Sequence, residues 1–181
     1  LAPVPPPHAG ENRRKLEELL HRVLDQLPDA QRTLRTCLGA AATHDPAAVT
    51  PDLFAGARLA YLEGYLLHNH ALARAAVAAA KAAGCAVALD LASFEVVRAQ
   101  RGILTELIDQ VDLVFANQDE AAAWDSAAPE AALEDLAKRV RIAAVKLGAD
   151  GALLASGTQR VRVPAEAVER VIDTTGAGDL W

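Results

Sequence analysis

The sequence predicts an α/β fold in which a mainly parallel sheet is covered by helices on both faces. Two observations predict it. Short, almost continuously apolar segments recur along the chain, as at 86–90 and 111–116, which is typical of strands buried on both faces. Segments with helical spacing of apolar residues separate them, which indicates strand–helix–strand units. The 181 residues are enough for one domain with a sizeable core.

The N-terminal segment does not share this pattern. Residues 1–10 are rich in proline and predict a flexible lead-in. The apolar residues that follow, up to Leu27, are spaced for one face of a helix that ends near Pro28. We therefore separate residues 1–28, whose role is unclear, from a domain over residues 29–181. Its first element is a predicted strand over 31–38.

Strands and helices then alternate. Predicted strands cover Arg58–Leu62, Ala86–Asp90, Val111–Ala116 and Arg141–Leu147. Asn69 is expected to cap a helix that stops at Gly84, and Ser93 to cap one helix that runs to Ile108. A short acidic helix is predicted from Glu120 to Trp124, and Pro129 is expected to open a helix that includes Val140.

The pattern changes after Gly148. Ala152–Ser156 and Arg160–Val163 flank the pair Gly157-Thr158 and predict a β-hairpin. A further short strand is predicted over Ala167–Ile172, directly before a helix start at 173–179.

Composition excludes several classes of protein. The net charge is −6 with the two signs interspersed, and the absence of a basic patch argues against a nucleic-acid partner. No apolar run is long enough to span a membrane. Cys37 and Cys85 are far apart in sequence and are expected to be reduced thiols of an intracellular, cytoplasmic protein, with an organelle left open.

The chain contains no methionine and stops at Trp181, just after the predicted start of a helix. We therefore expect a fragment that is truncated at both ends, in which no targeting signal can be read.

The string Asp173-Thr174-Thr175-Gly176-Ala177-Gly178-Asp179 is the strongest candidate site. Glycines let consecutive N–H groups approach a ligand, and a helix N-terminus adds partial positive charge, so the turn predicts an anion site. Asp179 can accept the proton of an attacking hydroxyl while the amides of Gly176, Ala177 and Gly178 hold a phosphoryl group. The alternative is an ordinary turn before a capped helix.

A second candidate, Asn117-Gln118-Asp119-Glu120, follows an apolar strand. Asn117 and Glu120 are three residues apart on a helical first turn, so they point the same way and can bind Mg²⁺ through water. The alternative is a capping asparagine followed by acidic residues that the helix dipole favours.

The third candidate, Lys146-Leu147-Gly148-Ala149-Asp150-Gly151, lies where a strand ends in a glycine-flanked turn. Such a turn lets a nucleotide approach the backbone. An ordinary β-turn with a solvated Lys146 is the alternative. In an open parallel sheet, ligands bind beyond the carboxyl ends of the strands, where all three candidates fall.

These motifs together resemble the PfkB (ribokinase-like) family of carbohydrate and nucleoside kinases. Residues 173–179 are similar to the family's second signature, 117–120 to its Asn-x-x-Glu motif, and 146–151 to its nucleotide-side turn. The strings at 61–65, 90–93 and 111–116 match in order and spacing, so the resemblance covers residue 31 to the end. Residues 31–41 and 93–98 are similar to the adenosine-kinase-like branch.

The resemblance implies a ribokinase-like sandwich and transfer of the γ-phosphoryl of ATP to a hydroxyl of a sugar or nucleoside. It implies that Asp179 is the catalytic base, that residues 176–178 form the anion hole, and that Asn117 and Glu120 organise Mg²⁺ and phosphates. Lys146 and Gly148 would lie near the nucleotide. Many members also bind a monovalent cation such as K⁺ near the residues that match Asp173 and Thr175. The expected partner is a small-molecule substrate, and a homodimer is compatible with the family.

The chain also departs from the family pattern. No glycine-rich first signature is present, and residues 1–27 do not resemble the family. We therefore expect the 181 residues to be inactive by themselves. One rival reading is a non-catalytic kinase-like module used for binding or assembly. The other, a Rossmann-type oxidoreductase, needs a Gly-x-Gly-x-x-Gly turn after the first strand, which is absent.

Overall fold

A computed structural model describes residues 43–125 and 128–167, together with Gly176. The chain divides into two compact units. One contains Leu1–Cys37 with Val168–Trp181, and the other is Leu38–Ala167. The predictions for 1–38 and for the strand and helix after residue 167 lie outside the described residues.

The described part of the second unit is built on one six-stranded sheet in the order β1-β2-β3-β4-β5-β6. Its strands are β1 (Leu59–Glu63), β2 (Ala86–Asp90), β3 (Leu113–Asn117), β4 (Ile142–Lys146), β5 (Ala152–Ser156) and β6 (Gln159–Val163). Strands β1 to β4 pair in parallel, and β5 and β6 add an antiparallel hairpin. The predicted α/β class is confirmed, with a sheet that is mixed rather than wholly parallel.

Five α-helices connect the parallel strands within the described ranges. They are α1 (His70–Ala82), α2 (Phe94–Ala99), α3 (Arg101–Ile108), α4 (Gln118–Trp124) and α5 (Pro129–Ala137). Shorter 3₁₀ turns cover Pro46–Ala48, Pro51–Phe54, Gly64–His68 and Gly148–Asp150. No helix in the described ranges is long and apolar enough to cross a membrane.

The capping residues act as their sequence positions predict. The side chain of Asn69 accepts a hydrogen bond from the backbone N–H of Leu72, and Ser93 accepts one from Val96. The prediction of a single helix between Ser93 and Ile108 is wrong. The helix is interrupted at Gln100, whose φ of −109° and ψ of 21° are not helical.

The boundary of α5 also differs slightly from the prediction. The helix ends at Ala137, and Val140 lies in the turn that follows it. The N–H of Val140 still donates to the carbonyl of Leu136 at 3.0 Å. Val140 remains 7% exposed, so its apolar character reflects burial in the core beyond the end of the helix.

The strand order runs in one direction from β1 to β4, so right-handed crossovers place the connecting α-helices on the same face of the sheet. Contacts of α1 with α3, of α2 with α4 and of α4 with α5 agree with this arrangement. The core lies between these helices and the strand residues that face them. Helical cover of the opposite face, which the sequence analysis also expects, stays a prediction.

Helix α4 is fixed at its C-terminus, which anchors the polar first turn at its other end. Trp124 is 4% exposed, and the guanidinium carbon of Arg101 lies 4.0 Å from the centroid of its ring. Nη1 of Arg101 donates to the carbonyl of Trp124 at 2.6 Å and to that of Ala123 at 3.2 Å. A cation on the terminal carbonyls stabilises the helix dipole.

Candidate functional site

Polar residues occupy the carboxyl ends of the four parallel strands. Glu63, Asp90, Asn117 and Lys146 are the last residues of β1, β2, β3 and β4. Glu63 is in register with Asp90, and Asn117 with Lys146. Since paired residues of parallel strands project to the same face, the sheet gathers these groups where ligands of open α/β sheets bind.

Asn117 and Glu120 hold each other in a reciprocal capping box at the start of α4. Oδ1 of Asn117 accepts from the N–H of Glu120 at 2.9 Å, and Oε2 of Glu120 accepts from the N–H of Asn117 at 2.8 Å. Oε1 of Glu120 also accepts from Nδ2 of Asn117 at 2.6 Å. The predicted pairing of these residues on one turn is therefore observed, in the geometry of a helix cap.

The carboxyl group of Glu120 is buried, with only 2% of the residue exposed. Burial raises its pKa to about 7, opposed by the hydrogen bond from the backbone of Asn117. The negative charge of Asp90 raises the pKa further, and the positive charge of Lys146 lowers it. These electrostatic effects mean that Asp90, Glu120 and Lys146 form one group of interacting charges.

Asp90 connects three strands. Its Oδ2 accepts from the hydroxyl of Tyr61 at 3.1 Å and from Nζ of Lys146 at 3.4 Å. Its Oδ1 accepts from the N–H of Ala92 at 2.9 Å. Asp90 is 7% exposed, so its carboxylate is one of the few buried charged groups among the described residues, and both of its oxygens accept hydrogen bonds.

The backbone that follows Asp90 makes an unusual turn. Ala92 has a φ of +66°, and the N–H of Ser93 donates to the carbonyl of Leu91 at 2.8 Å. This is the rarer, strained form of γ-turn, and strain of this kind concentrates at functional sites. Gly64 allows the turn to pack closely, because a Cβ atom there would lie 2.6 Å from the carbonyl oxygen of Leu91.

The turn after β4 requires its glycines. Gly148 and Gly151 have φ values of +59° and +89°, which side chains other than glycine rarely adopt. The N–H of Leu147 donates to the carbonyl of Gly151 at 2.7 Å, which closes the turn. A Cβ atom on Gly151 would collide with the carbonyl oxygen of Val163. The predicted turn is observed, and it follows Lys146 directly.

The structure therefore places Asn117, Glu120 and Lys146 at one edge of the sheet, with Gly148 in the adjoining turn. Asp179, Ala177, Gly178, Asp173 and Thr175 lie outside the described residues. Gly176, within the other unit, is half-buried and has a φ of +75°. Residues other than glycine rarely adopt a φ of this size.

Sequence reasoning missed Asp90 as a site residue. The available signal was a carboxylate at the end of an apolar strand, a position that faces the ligand side of a parallel sheet. No group of three or more His, Cys, Asp or Glu side chains within 43–125 and 128–167 is arranged to hold a metal ion directly.

Comparison with known proteins identifies the family. The sequence pattern of the pfkB family carbohydrate kinases matches residues 21–180. The chain belongs to this family, and the resemblance predicted from its motifs is confirmed. The match begins at residue 21, ten residues before the predicted start of the resemblance.

Three relatives illustrate the similarity. Adenosine kinase of Schizophyllum commune is 30% identical over 143 residues, which are 67% of this chain and 41% of that protein. The crystal structure of adenosine kinase from Sinorhizobium meliloti is 38% identical, with a TM-score of 0.77 over 84% of this chain and 48% of that one. The crystal structure of a probable sugar kinase protein from Rhizobium etli CFN 42 is 33% identical, with a TM-score of 0.71 over 77% and 44%.

The chain therefore spans less than half the length of these relatives. Both solved structures share the ribokinase-like α/β arrangement that the sequence predicts.

Proposed function

We propose that this chain is part of an ATP-dependent kinase that transfers the γ-phosphoryl group to a hydroxyl of a nucleoside or sugar. The observation that carries the proposal is the convergence of Asn117, Glu120, Asp90 and Lys146 at the carboxyl ends of adjacent parallel strands. Membership of the pfkB family of carbohydrate kinases supports phosphoryl transfer as the chemistry of this charged edge of the sheet.

In this proposal Lys146 contributes positive charge to the nucleotide phosphates, and the Gly148 turn lets the nucleotide approach the backbone. Gly148 has no side chain to obstruct that approach, and a Cβ atom there would meet nothing within 4 Å. Asp179 accepts the proton of the acceptor hydroxyl, while the amides of residues 176–178 stabilise the phosphoryl charge. Phosphoryl transfer depends mainly on such positioning and electrostatic stabilisation.

The residues present also fit the Mg²⁺ that the family implies. Oδ1 of Asn117 and both carboxylate oxygens of Glu120 are oxygen donors, but each already accepts a hydrogen bond within the capping box. Mg²⁺ keeps several of its waters in proteins, so contact through water suits these residues better than direct coordination. The bound ion would neutralise phosphate charge. Asp173 and Thr175 remain the proposed neighbours of a monovalent cation.

A nucleoside is the preferred acceptor class. Two of the relatives described above are named adenosine kinases, from a fungus and a bacterium, and the motif at 93–98 points to the same branch. A sugar acceptor is the second choice, favoured by the name of the Rhizobium etli protein.

The test is a coupled assay of ADP release by the full-length protein, with ATP and Mg²⁺ and a matched panel of nucleosides and simple sugars. We expect acceptor-dependent turnover with at least one nucleoside and little turnover without an acceptor. The isolated 181-residue chain serves as a comparison and is expected to be inactive, because it spans less than half of its relatives. Full-length protein that binds ATP but phosphorylates no acceptor would favour the non-catalytic alternative.

A further inference from the structure

We propose that Arg101 is a positioning residue for the nucleotide site, which acts through helix α4 to fix the capping box of Asn117 and Glu120. The inference rests on the proposed function, since these two residues are the proposed organisers of Mg²⁺ and phosphates. Its structural basis lies at the other end of the same helix. There Nη1 of Arg101 donates to the carbonyl of Trp124 at 2.6 Å and to that of Ala123 at 3.2 Å.

Helix α4 is too short to be stable without tertiary contacts. It has seven residues, whereas isolated helices shorter than about 12 residues are marginal in water. The capping box satisfies the first turn, but the last turn contains no basic residue of its own. The cation that meets its terminal carbonyls therefore comes from another helix, α3.

Arg101 is unfavourably placed in its own helix. It is the first residue of α3, where a positive charge meets the positive end of the helix dipole. A residue that breaks a local rule in this way is expected where the gain lies elsewhere in the fold. Here the gain is two hydrogen bonds from a charged donor to the end of α4, with the guanidinium carbon 4.0 Å from the centroid of the Trp124 ring.

The interruption between α2 and α3 places Arg101 at this junction. Because Gln100 is not helical, a new helix begins at Arg101. Oε1 of Gln100 is within hydrogen-bond distance of Nε2 of His70, the first residue of α1, at 2.7 Å. Helix α2 in turn packs against α4. Arg101 thus connects the end of α4 to a junction that contacts with α1 hold in place.

The effect on the site is transmitted along the helix. At a rise of about 1.5 Å per residue, the two ends of α4 are about 10 Å apart, so Arg101 acts on Asn117 and Glu120 through the helix rather than by contact. A helix of seven residues has only two turns. If the last turn frayed, the remaining turn would no longer hold the oxygens of the capping box in a fixed position.

Three variants isolate this role. Arg101→Met removes both hydrogen bonds and keeps the length of the side chain, whereas Arg101→Lys keeps the positive charge but loses the planar group that lies over the Trp124 ring. Arg74→Met is the matched control. The two hydrogen bonds of Arg74, at 2.8 and 2.6 Å, join α1 to Glu106 of α3 and do not involve α4.

The first experiment measures backbone order parameters of the ligand-free full-length protein by NMR. In Arg101→Met the order parameters of residues 117–120 should fall from about 0.85 toward about 0.6, the change from a rigid to a flexible backbone. Those of β2 should stay at the wild-type values, and Arg74→Met should change neither set. Wild-type values at 117–120 in Arg101→Met would refute the positioning role, and so would an equal fall in β2.

The second experiment measures binding of a non-hydrolysable ATP analogue with Mg²⁺ by calorimetry, together with steady-state kinetics. Arg101→Met should raise the Kd and the KM for nucleotide by about tenfold, the effect of one lost charge-assisted contact. The KM for the acceptor should change by less than about threefold, a difference that a general loss of stability would not produce. Arg74→Met should bind nucleotide like the wild type. An acceptor KM that rises as much as the nucleotide KM would contradict the proposal.

A double-mutant cycle tests the path through the capping box. Asn117→Ser can still cap α4 through its hydroxyl group but loses the Nδ2 donor to Glu120. Residues about 10 Å apart without a shared partner normally have additive effects. A smaller effect of Arg101→Met on nucleotide binding in the Asn117→Ser background would therefore show transmission through α4, and equal losses in both backgrounds would overturn it.

The conservative variant keeps the proposal testable if Arg101→Met does not fold. Arg101→Lys should give intermediate order parameters at 117–120 and a Kd raised by about threefold, because part of the contact is restored; wild-type values of both would refute the proposal. The order parameters are measured without nucleotide, so they test the positioning role separately. Failure of the wild type to bind or use ATP would sink the proposed function alone.

Discussion

Nζ of Lys146 lies 3.4 Å from Oδ2 of Asp90, although the two residues are 56 positions apart in sequence and occupy strands separated by β3. Both residues interact electrostatically with Glu120, whose burial raises its pKa to about 7. A site of this kind can change its charge near neutral pH when the surroundings of Glu120 change. Measurements of stability and of nucleotide binding should both detect this change of charge.

The first prediction concerns the pH dependence of stability without Mg²⁺ and nucleotide. The pKa of Glu120 is raised from 4.5 to about 7 in the folded protein, so the folded state holds this proton more tightly than the unfolded state. Its contribution is present below the unfolded pKa of 4.5 and is lost as pH rises through about 7. We expect a loss of about 2 to 3 kcal/mol between pH 5 and pH 8.

Urea denaturation at several pH values measures this loss, with Glu120→Gln as the comparison. The variant cannot ionise at residue 120, so its stability should vary much less over the same range. Glu106, Asp109 and Glu134 have lowered pKa values because each accepts hydrogen bonds from an arginine, and their contribution is lost only at more acidic pH. Identical pH profiles for the wild type and Glu120→Gln would contradict the prediction.

The second prediction separates the two roles of Asn117. Asn117→Ala removes a helix cap, which costs about 1 kcal/mol. It also removes the Nδ2 donor to Oε1 of the buried Glu120 carboxyl group, which costs about 1 to 3 kcal/mol more, while the backbone N–H of residue 117 still donates to Oε2. Asn69→Ala is the matched control, since Asn69 caps α1 through the N–H of Leu72 and is not one of the proposed site residues. Unfolding free energies should show the larger loss for Asn117→Ala.

Nucleotide binding distinguishes these variants further. Asn117→Ala should weaken binding of the ATP analogue with Mg²⁺ by about tenfold or more, the size of one lost charge-assisted contact, whereas Asn69→Ala should leave it unchanged. Equal effects of the two variants on both measurements would mean that Asn117 is only a helix cap.

The third prediction compares two glycines. Gly64→Ala would place a Cβ atom 2.6 Å from the carbonyl oxygen of Leu91, and we expect a loss of about 1 to 3 kcal/mol from overpacking. Gly102 lies in α3 with nothing within 4 Å of the added atom. Gly102→Ala should therefore stabilise the protein by about 0.5 to 1 kcal/mol. Melting temperatures that move in the same direction would contradict this prediction.

The fourth prediction concerns the turn after β4. Gly151 combines a φ of +89° with close contact to the backbone of Val163, whereas Gly157 has a φ of +54° and open space around it. Gly157→Ala should cost about 1 kcal/mol for the left-handed conformation alone. Gly151→Ala should cost more and should also weaken nucleotide binding, because the altered turn adjoins Lys146. Thermal melts and calorimetry would contradict the argument if Gly157→Ala had the larger effect on both.

Local sequence signals predicted much of the fold. Strand β2 begins and ends where its apolar run does, and α1 begins after Asn69, because a capping side chain and a buried apolar segment are both encoded within a few residues. The interruption at Gln100 was missed, since apolar spacing continues on both sides of it and marks no boundary between the two helices.

The site was predictable only in part, because some of its contacts join residues that are far apart in sequence. Asn117 and Glu120 are three residues apart, so their pairing follows from helical geometry. The contact of Asp90 with Lys146 depends on strand order and register, which the sequence pattern does not specify. The hydroxyl of Tyr61 reaches Asp90 from a third strand, a contact that likewise arises only once the sheet is assembled.

The last prediction tests the proposed catalytic base. Asp179→Asn in the full-length protein should lower kcat by about 10² or more, because the amide cannot accept the proton of the attacking hydroxyl. The Kd for the ATP analogue with Mg²⁺ should remain nearly unchanged, since the nucleotide contacts proposed here involve Lys146 and the Gly148 turn. Full turnover by Asp179→Asn would show that another group accepts the proton, and weakened nucleotide binding at unchanged kcat would assign Asp179 to the nucleotide side of the site.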